Sequence, residues 1–205
     1  KKPPPPQLYD LTELQRDMNR RFGMSAATTL QNAQSLYEGK LITYPRTDSR
    51  YLTTDMKKEV PGIFRDLQSL KPHEVSKLDL QALPFNGRIV NNQKVTDHHA
   101  MIPTGGMFRK VGQGGEKVYE AIVVRFIAAF YPPCLKEVTT VDGVANEVPF
   151  RARGVRVVAP GWTELYPRKS ADDENEDEQL LPDFLPRESG PHEPFIKPGE
   201  TSPPT

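Results

Sequence analysis

The sequence predicts an α+β fold that is mainly helical, and two changes of pattern along it are the reason. Up to about residue 133, apolar residues recur at helical spacing in segments bounded by capping residues and glycines. From there to about residue 167 the runs become β-branched and alternating, with glycines between them, which is the pattern of antiparallel strands. The 21 prolines, about twice the usual share, gather at the two ends. These shifts divide the chain into a proline-rich linker or domain crossing over 1–9, a helical domain over 10–134, a β-strand segment over 135–167, and an acidic, proline-rich loop or linker over 168–205.

The opening KKPPPPQ reads as a stiff polyproline segment. Thr12, with Gln15 three residues on, reads as a capping box for a first helix. Its apolar stripe is Leu11, Leu14, Met18 and Phe22, and Gly23 ends it. Ser25 caps a second helix carrying Leu30, Ala33, Leu36 and Tyr37, which Gly39 stops. A strand over Leu41-Ile42-Thr43-Tyr44 follows. Helix, short break, helix, strand is the order of a helix-turn-helix or winged-helix unit, although an ordinary helical hairpin gives the same pattern. Thr54 is expected to cap a helix reaching about Leu67, His73 to Leu83 to hold another short one, and residues 84–96 to be loop. Val118, Ile122, Val123, Phe126, Ile127 and Phe130 mark a long helix that ends at Pro132-Pro133. KEVTTVDG, EVPFRARG and VRVVAPGW then read as three strands.

Charge and cysteine usage narrow the class. Lys plus Arg and Asp plus Glu are both 27, so the chain is neutral, but unevenly so. The stretch from Pro167 to Glu193 holds nine acids and three bases, which leaves the remainder at +6. A mild positive excess permits a polyanionic partner without requiring one. The single cysteine, Cys134, allows neither an intrachain disulfide nor a cysteine zinc cluster. No apolar run approaches the ~20 residues of a membrane span, and a cytosolic location is the default expectation.

The chemistry concentrates in LITYPRTDSRYL, residues 41–52. Pro45 forces the residue before it into an extended backbone. In an extended segment, residues two apart project to the same side, so Arg46 should share the side of the Tyr44 hydroxyl. A guanidinium there has the fork geometry to grip two phosphate oxygens. Thr47, Asp48 and Ser49 form a polar turn with hydroxyls and backbone N–H groups for phosphate, and Arg50 adds a second cation. A tyrosine phenol, with a free pKa near ~10, becomes a better nucleophile beside a cation, and its attack on a phosphodiester would give a phosphotyrosine. A core tyrosine followed by a polar turn is the competing reading of the same residues.

A second cluster, VTDHHAMIPTG, spans residues 95–105. Either His98 or His99 could donate to a phosphate or bring charge to it, with Asp97 and Thr104 beside them. No further histidine or cysteine pair is spaced to complete a metal site.

Together, LITYPRTDSRYL and DHHAMIPT resemble the type IA DNA topoisomerases, most closely the topoisomerase III branch. The preceding helices and the later RFIAAFYPPCLKEVTTV fit the same family, so the resemblance covers nearly the whole chain. It implies that Tyr44 is the nucleophile that cuts one DNA strand and holds its 5′ phosphate. Arg46 would position the scissile phosphate. His98 matches the histidine of the family's His-x-Ala-x-x-Pro pattern and would contact DNA, while His99 fills a variable position. Thr47, Asp48, Ser49, Arg50 and Thr104 belong to the same DNA-binding surface. The resemblance further implies a winged-helix-like tyrosine domain joined to antiparallel strands of a toroidal gate. It implies ATP-independent strand passage and a chiefly single-stranded DNA substrate, with no zinc in this portion and a nucleoid-associated location in a bacterium. The family's Mg²⁺ is held by an acidic set in a Toprim domain, and no such unit is present. The acidic run Asp172 to Glu178 follows a polar RKSA and reads as a solvated loop. The chain is therefore expected to be a fragment, inactive alone. A non-catalytic helix-turn-helix nucleic-acid-binding module is the alternative. Tyrosine recombinases and relaxases fit less well, because the histidines are adjacent and follow the tyrosine.

Overall fold

The computed structural model describes residues 1–106, 111–166, 180–185 and 187–190. The expected acidic run at 172–178 lies outside the described residues, as does most of the expected loop over 168–205.

The first helix, α1, spans Leu11–Phe22, and the second, α2, spans Ala26–Glu38. The cap of α1 is Asp10 rather than Thr12: its carboxylate accepts from the Glu13 amide at 2.7 Å. Asp is the stronger cap because its carboxylate is a fixed acceptor for an N–H at the positive end of the helix. Gly23 ends α1 in the left-handed region, with φ 63°, and returns its N–H to the Asn19 carbonyl. Ser25 caps α2 as its sequence position predicts, accepting from the Thr28 amide. After α2 the left-handed residue is Lys40, with φ 58°, not Gly39. The expected strand over 41–44 reduces to one bridge, Ile42 to Pro103, with the chain bending at Leu41 and Thr43 on either side of it.

A 3₁₀ turn over Asp55–Lys58 leads into α3, Val60–Leu67. Thr54 does not cap it; its amide and hydroxyl both donate to Asn92 Oδ1 instead. Pro61 sits in the first turn of α3, where a missing N–H costs nothing. The helix expected over 73–83 is confined to α4, Pro72–Ser76. The long helix α5 runs over Gln113–Ala129 and is the centre of the core. Phe126 and Phe130 pack with Phe64 of α3 at centroid separations of 4.7 and 5.2 Å. Burial of such rings supplies about 1.5–3 kcal/mol each.

Two strands follow, β1 over Leu135–Ala145 and β2 over Val148–Ala159, paired antiparallel. The three expected runs are thus two. Gly154 is no turn but continues β2 opposite Thr139. The turn is Asn146-Glu147, with φ 48° and 67°, the paired positive values of a two-residue hairpin whose twist suits the strands. The outer half of this hairpin is exposed, including Val144, Val148 and Phe150, whereas Val155 near its base is buried. A 3₁₀ turn over Gly161–Leu165 then returns against α5.

The proline-rich start is docked along the body. A polyproline backbone makes no internal hydrogen bonds, so its carbonyls are free to accept. The Pro3 carbonyl takes the Cys134 amide and the Trp162 indole N–H, and the Tyr9 carbonyl takes the Met101 amide. Leu8 and Tyr9 are each 1% exposed. The Tyr9 hydroxyl donates to the buried Asp17 carboxylate, and Arg125 of α5 donates to the same phenol oxygen at 3.1 Å while its guanidinium lies over the ring at 4.1 Å. This cluster joins the N-terminal segment, α1 and α5. Among the described residues no helix is long and apolar enough to cross a membrane.

Candidate functional site

The two sequence motifs meet. Residues 41–50 and 94–104 run beside each other, laced by hydrogen bonds that the threonines and serine supply. The Thr43 amide donates to the Ile102 carbonyl at 2.9 Å, and its hydroxyl takes the Ile102 amide at 3.0 Å. The Thr47 hydroxyl donates to the His98 carbonyl at 3.0 Å and accepts the Ser49 amide at 3.1 Å. The Ser49 hydroxyl donates to the Lys94 carbonyl at 2.8 Å. Thr47 and Ser49 are each 4% exposed, so these bonds replace solvation that the buried groups have lost.

Burial alternates along this segment. Pro45, Thr47 and Ser49 are buried, while Tyr44, Arg46 and Asp48 reach solvent. Tyr44 and Arg46 thus both reach solvent, although the backbone between them bends at Pro45 and Arg46 instead of running extended. The Tyr44 ring touches two others. His98 lies 4.3 Å away between centroids, tilted by 43°, and Tyr37 packs edge-on at 5.4 Å and 80°. Among the described residues the Tyr44 hydroxyl has no hydrogen-bond partner, and the exposed Arg46 guanidinium has neither a hydrogen bond nor an ion pair. Neither the phenol oxygen nor the guanidinium is therefore consumed by a hydrogen bond of the fold among the described residues.

The other candidates separate into different situations. Asp48 is exposed and accepts weakly from Thr96 at 3.5 Å. Arg50 turns inward and is held by acids of the α1 cap, Nε to Asp10 at 2.6 Å and Nη2 to Glu13 at 3.4 Å. His98 is exposed beside Tyr44. His99 is half-buried, and its Nδ1 donates to the Ala100 carbonyl at 2.8 Å, which turns the ring away from the role of free donor at that nitrogen. Thr104 donates to the Lys40 carbonyl at 2.6 Å, closing the turn after α2. Tyr51, at the end of the motif, is half-exposed with the Lys94 ammonium 5.1 Å from its ring centre. Among the described residues, no group of three or more His, Cys, Asp or Glu is arranged to hold a metal ion. The residues on view therefore do not themselves fit a Mg²⁺ site.

Two participants escape the sequence. Asp10 orients Arg50 from 40 residues away, a distance no local pattern spans. Tyr37 looks like part of the α2 stripe, but the residue is 40% exposed, and that exposure is what reveals it as a neighbour of Tyr44 rather than core.

The fold and the site define an α+β protein in which a solvent-reaching phenol lies against an exposed imidazole, with an exposed arginine two residues along the chain. A family model described as DNA topoisomerase matches residues 1–205. The chain belongs to the DNA topoisomerase family. It is 39% identical over 216 aligned positions to DNA topoisomerase 3 of Shouchella clausii (strain KSM-K16), an alignment covering 100% of this chain and 28% of that protein. It is 41% identical over 191 positions to DNA topoisomerase 3 of Bacillus thuringiensis (strain Al Hakam), covering 86% of this chain and 25% of that one. The chain thus spans about a quarter of the length of the curated relatives it matches. Full-length topoisomerase I of Thermotoga maritima has the same fold over 90% of this chain and 30% of its own, with a TM-score of 0.61 at 21% identity.

Proposed function

We propose that this chain is the tyrosine-bearing part of a type IA DNA topoisomerase. The observation that carries the reading is the solvent-reaching Tyr44 ring against His98, with Arg46 two residues on exposed and unpaired among the described residues. The Tyr44 oxygen attacks the phosphorus of a DNA phosphodiester, the bond to the 3′ oxygen breaks, and a 5′-phosphotyrosine forms. The phenol proton leaves to solvent or a base, and the departing 3′ oxygen takes one up. Because the phosphotyrosine conserves the ester bond, the 3′ hydroxyl can attack it in return without ATP. Arg46 neutralises charge that grows on the phosphate oxygens. His98, exposed against the Tyr44 ring, would donate to the same phosphate. Thr47, Ser49 and Thr104 hold the two loops in place, while Asp48 and His99 border the strand. Arg50, held by Asp10 and Glu13, shapes the loop. Single-stranded DNA suits an open strip of rings and cations, with Tyr51 beside Lys94 as a stacking candidate. Mg²⁺ in the family's chemistry would assist the 3′ oxygen from acids outside this chain. The isolated chain should therefore bind DNA yet fail to relax a supercoiled plasmid.

The test is covalent trapping. A single-stranded oligonucleotide labelled at its 3′ end is incubated with the full-length protein that carries this chain, then denatured and run on a gel. Labelled protein is expected, and Tyr44→Phe should abolish it while leaving DNA affinity unchanged. A labelled adduct surviving in Tyr44→Phe removes this tyrosine from the role. Efficient relaxation by the isolated chain would refute the dependence on acids elsewhere.

A further inference from the structure

We infer that Tyr37 is a positioning residue for the Tyr44 ring; the inference rests on Tyr44 being the nucleophile, as proposed above. A tyrosine at the end of a helix can be an incidental surface ring, and three observations argue otherwise. First, the contact has the perpendicular geometry that ring quadrupoles favour, 5.4 Å and 80°. Second, the Tyr44 hydroxyl has no hydrogen-bond partner among the described residues, so its orientation depends on packing, in which two ring contacts take part. His98 makes one of them and Tyr37 the other, and the two do not pair with each other. Third, the platform under Tyr37 is rigid and tied to both motifs. Leu36 beside it is fully buried, the Leu41 amide returns to the Leu36 carbonyl, and the Lys40 amide returns to the Tyr37 carbonyl. Thr104, from the histidine motif, then holds the Lys40 carbonyl. Tyr37 is therefore carried to Tyr44 by the same turn that joins the two motifs.

An attacking phenol must keep its oxygen in line with the bond that breaks, and a ring free to swing spends less time there. Two flanking rings limit that swing before DNA arrives. Losing one aromatic contact of this kind should slow the chemical step by about three- to tenfold.

The experiment uses the full-length protein and a saturating 3′-labelled single-stranded oligonucleotide. It measures the single-turnover rate of covalent adduct formation, with DNA affinity measured separately by fluorescence anisotropy. Tyr37→Leu keeps apolar bulk without the ring, and Tyr37→Phe keeps the ring without the hydroxyl. The expected result is a three- to tenfold slower adduct rate for Leu at unchanged affinity, restored by Phe. Three results overturn the inference: a wild-type rate in Tyr37→Leu, a loss expressed wholly as weaker binding, or a Phe variant as slow as Leu. Tyr44→Phe in the same assay separates the layers. An adduct persisting there sinks the nucleophile assignment itself, whereas an adduct lost there but indifferent to Tyr37→Leu overturns only the positioning role.

Discussion

Thr47 is almost wholly buried, and it ties the tyrosine motif to the histidine motif. Its hydroxyl gives its proton to the His98 carbonyl and accepts the Ser49 amide. Thr47→Val keeps the shape and removes both bonds, leaving the buried Ser49 amide and the part-buried His98 carbonyl without them. It should cost about 1–3 kcal/mol of stability, read from the urea midpoint, with Thr47→Ser close to wild type. A Val variant as stable as wild type would mean that the two loops are held by packing alone. The two arginines of the motif make a sharper comparison. Arg46 is exposed and unpaired among the described residues, whereas Arg50 is spent on Asp10 and Glu13. Arg46→Ala should slow cleavage more than it weakens binding and leave stability alone, since one phosphate contact is a small part of a DNA footprint. Arg50→Ala should lower the unfolding midpoint. Equal losses of cleavage and binding in Arg46→Ala would reduce it to an anchor. The exposure of Arg46 and the partial exposure of Tyr44 agree with their spacing in the sequence, but the extended backbone expected around Pro45 gives way to bends at Pro45 and Arg46. The difference between Arg46 and Arg50 was not legible in the sequence, because it depends on an aspartate brought from another element by folding.

At the scale of elements, period was readable and boundaries were not. Helices α1, α2 and α5 follow from their apolar spacing, since one buried stripe against a shared core has few other solutions. The caps depend on finer competition. Asp10 precedes Thr12 and wins because its carboxylate reaches the Glu13 amide and Arg50 at once. Asp10→Ala should therefore lose more than the ~1 kcal/mol of an ordinary cap, and Asp10→Asn, which keeps the cap but not the charge, should recover only part. Full recovery by Asn in thermal melts would show that the ion pair adds nothing. In the β segment, glycines suggested breaks, but a left-handed turn can also be made by Asn and Glu, and here it is. Gly161 is the glycine whose conformation is required. Its φ is 53°, and a Cβ would stand 2.5 Å from the Pro132 carbonyl oxygen and 2.6 Å from that of Pro133. Both are backbone atoms with little freedom to move. Gly161→Ala should destabilise by at least about 1–2 kcal/mol from the backbone conformation alone, loosening the turn that carries Trp162 onto the N-terminal prolines. An unchanged melting temperature would contradict the close approach.

At the scale of the whole molecule, the sequence reads the first nine residues as a crossing segment, and the structure fastens them to the helical body through a buried charged cluster. Polyproline carbonyls carry no pattern that names their partners, so this docking could not be read ahead of the fold. Its centre is Asp17, 4% exposed, which receives the Tyr9 hydroxyl and faces Arg20 at 2.5 Å, Arg21 at 3.4 Å and Arg125 at 3.9 Å. Burial alone would push the Asp17 carboxyl up, but the hydrogen bonds from Tyr9 and Arg20 and the charges of Arg125 and Arg21 outweigh it and hold it below its ordinary 3.8. Burial is also what raises the Tyr9 phenol, so it stays a donor throughout the working range. A carboxyl whose pKa is lower in the folded than in the unfolded chain stabilises the fold above the unfolded value and loses that contribution as pH falls through the folded one. The Asp17 contribution should thus be complete near neutrality and decline below about pH 4. Asp17→Asn leaves the Arg125 guanidinium buried without its anion and should cost about 3–5 kcal/mol at pH 7. Comparing urea midpoints of the two proteins from pH 7 to pH 3 cancels the other carboxylates they share. The gap should be widest at neutral pH and narrow below pH 4, as wild-type Asp17 takes up its proton and comes to resemble the amide. A gap that stays constant to pH 3 would mean that the ionised carboxylate is not what joins the N-terminal segment to the helices.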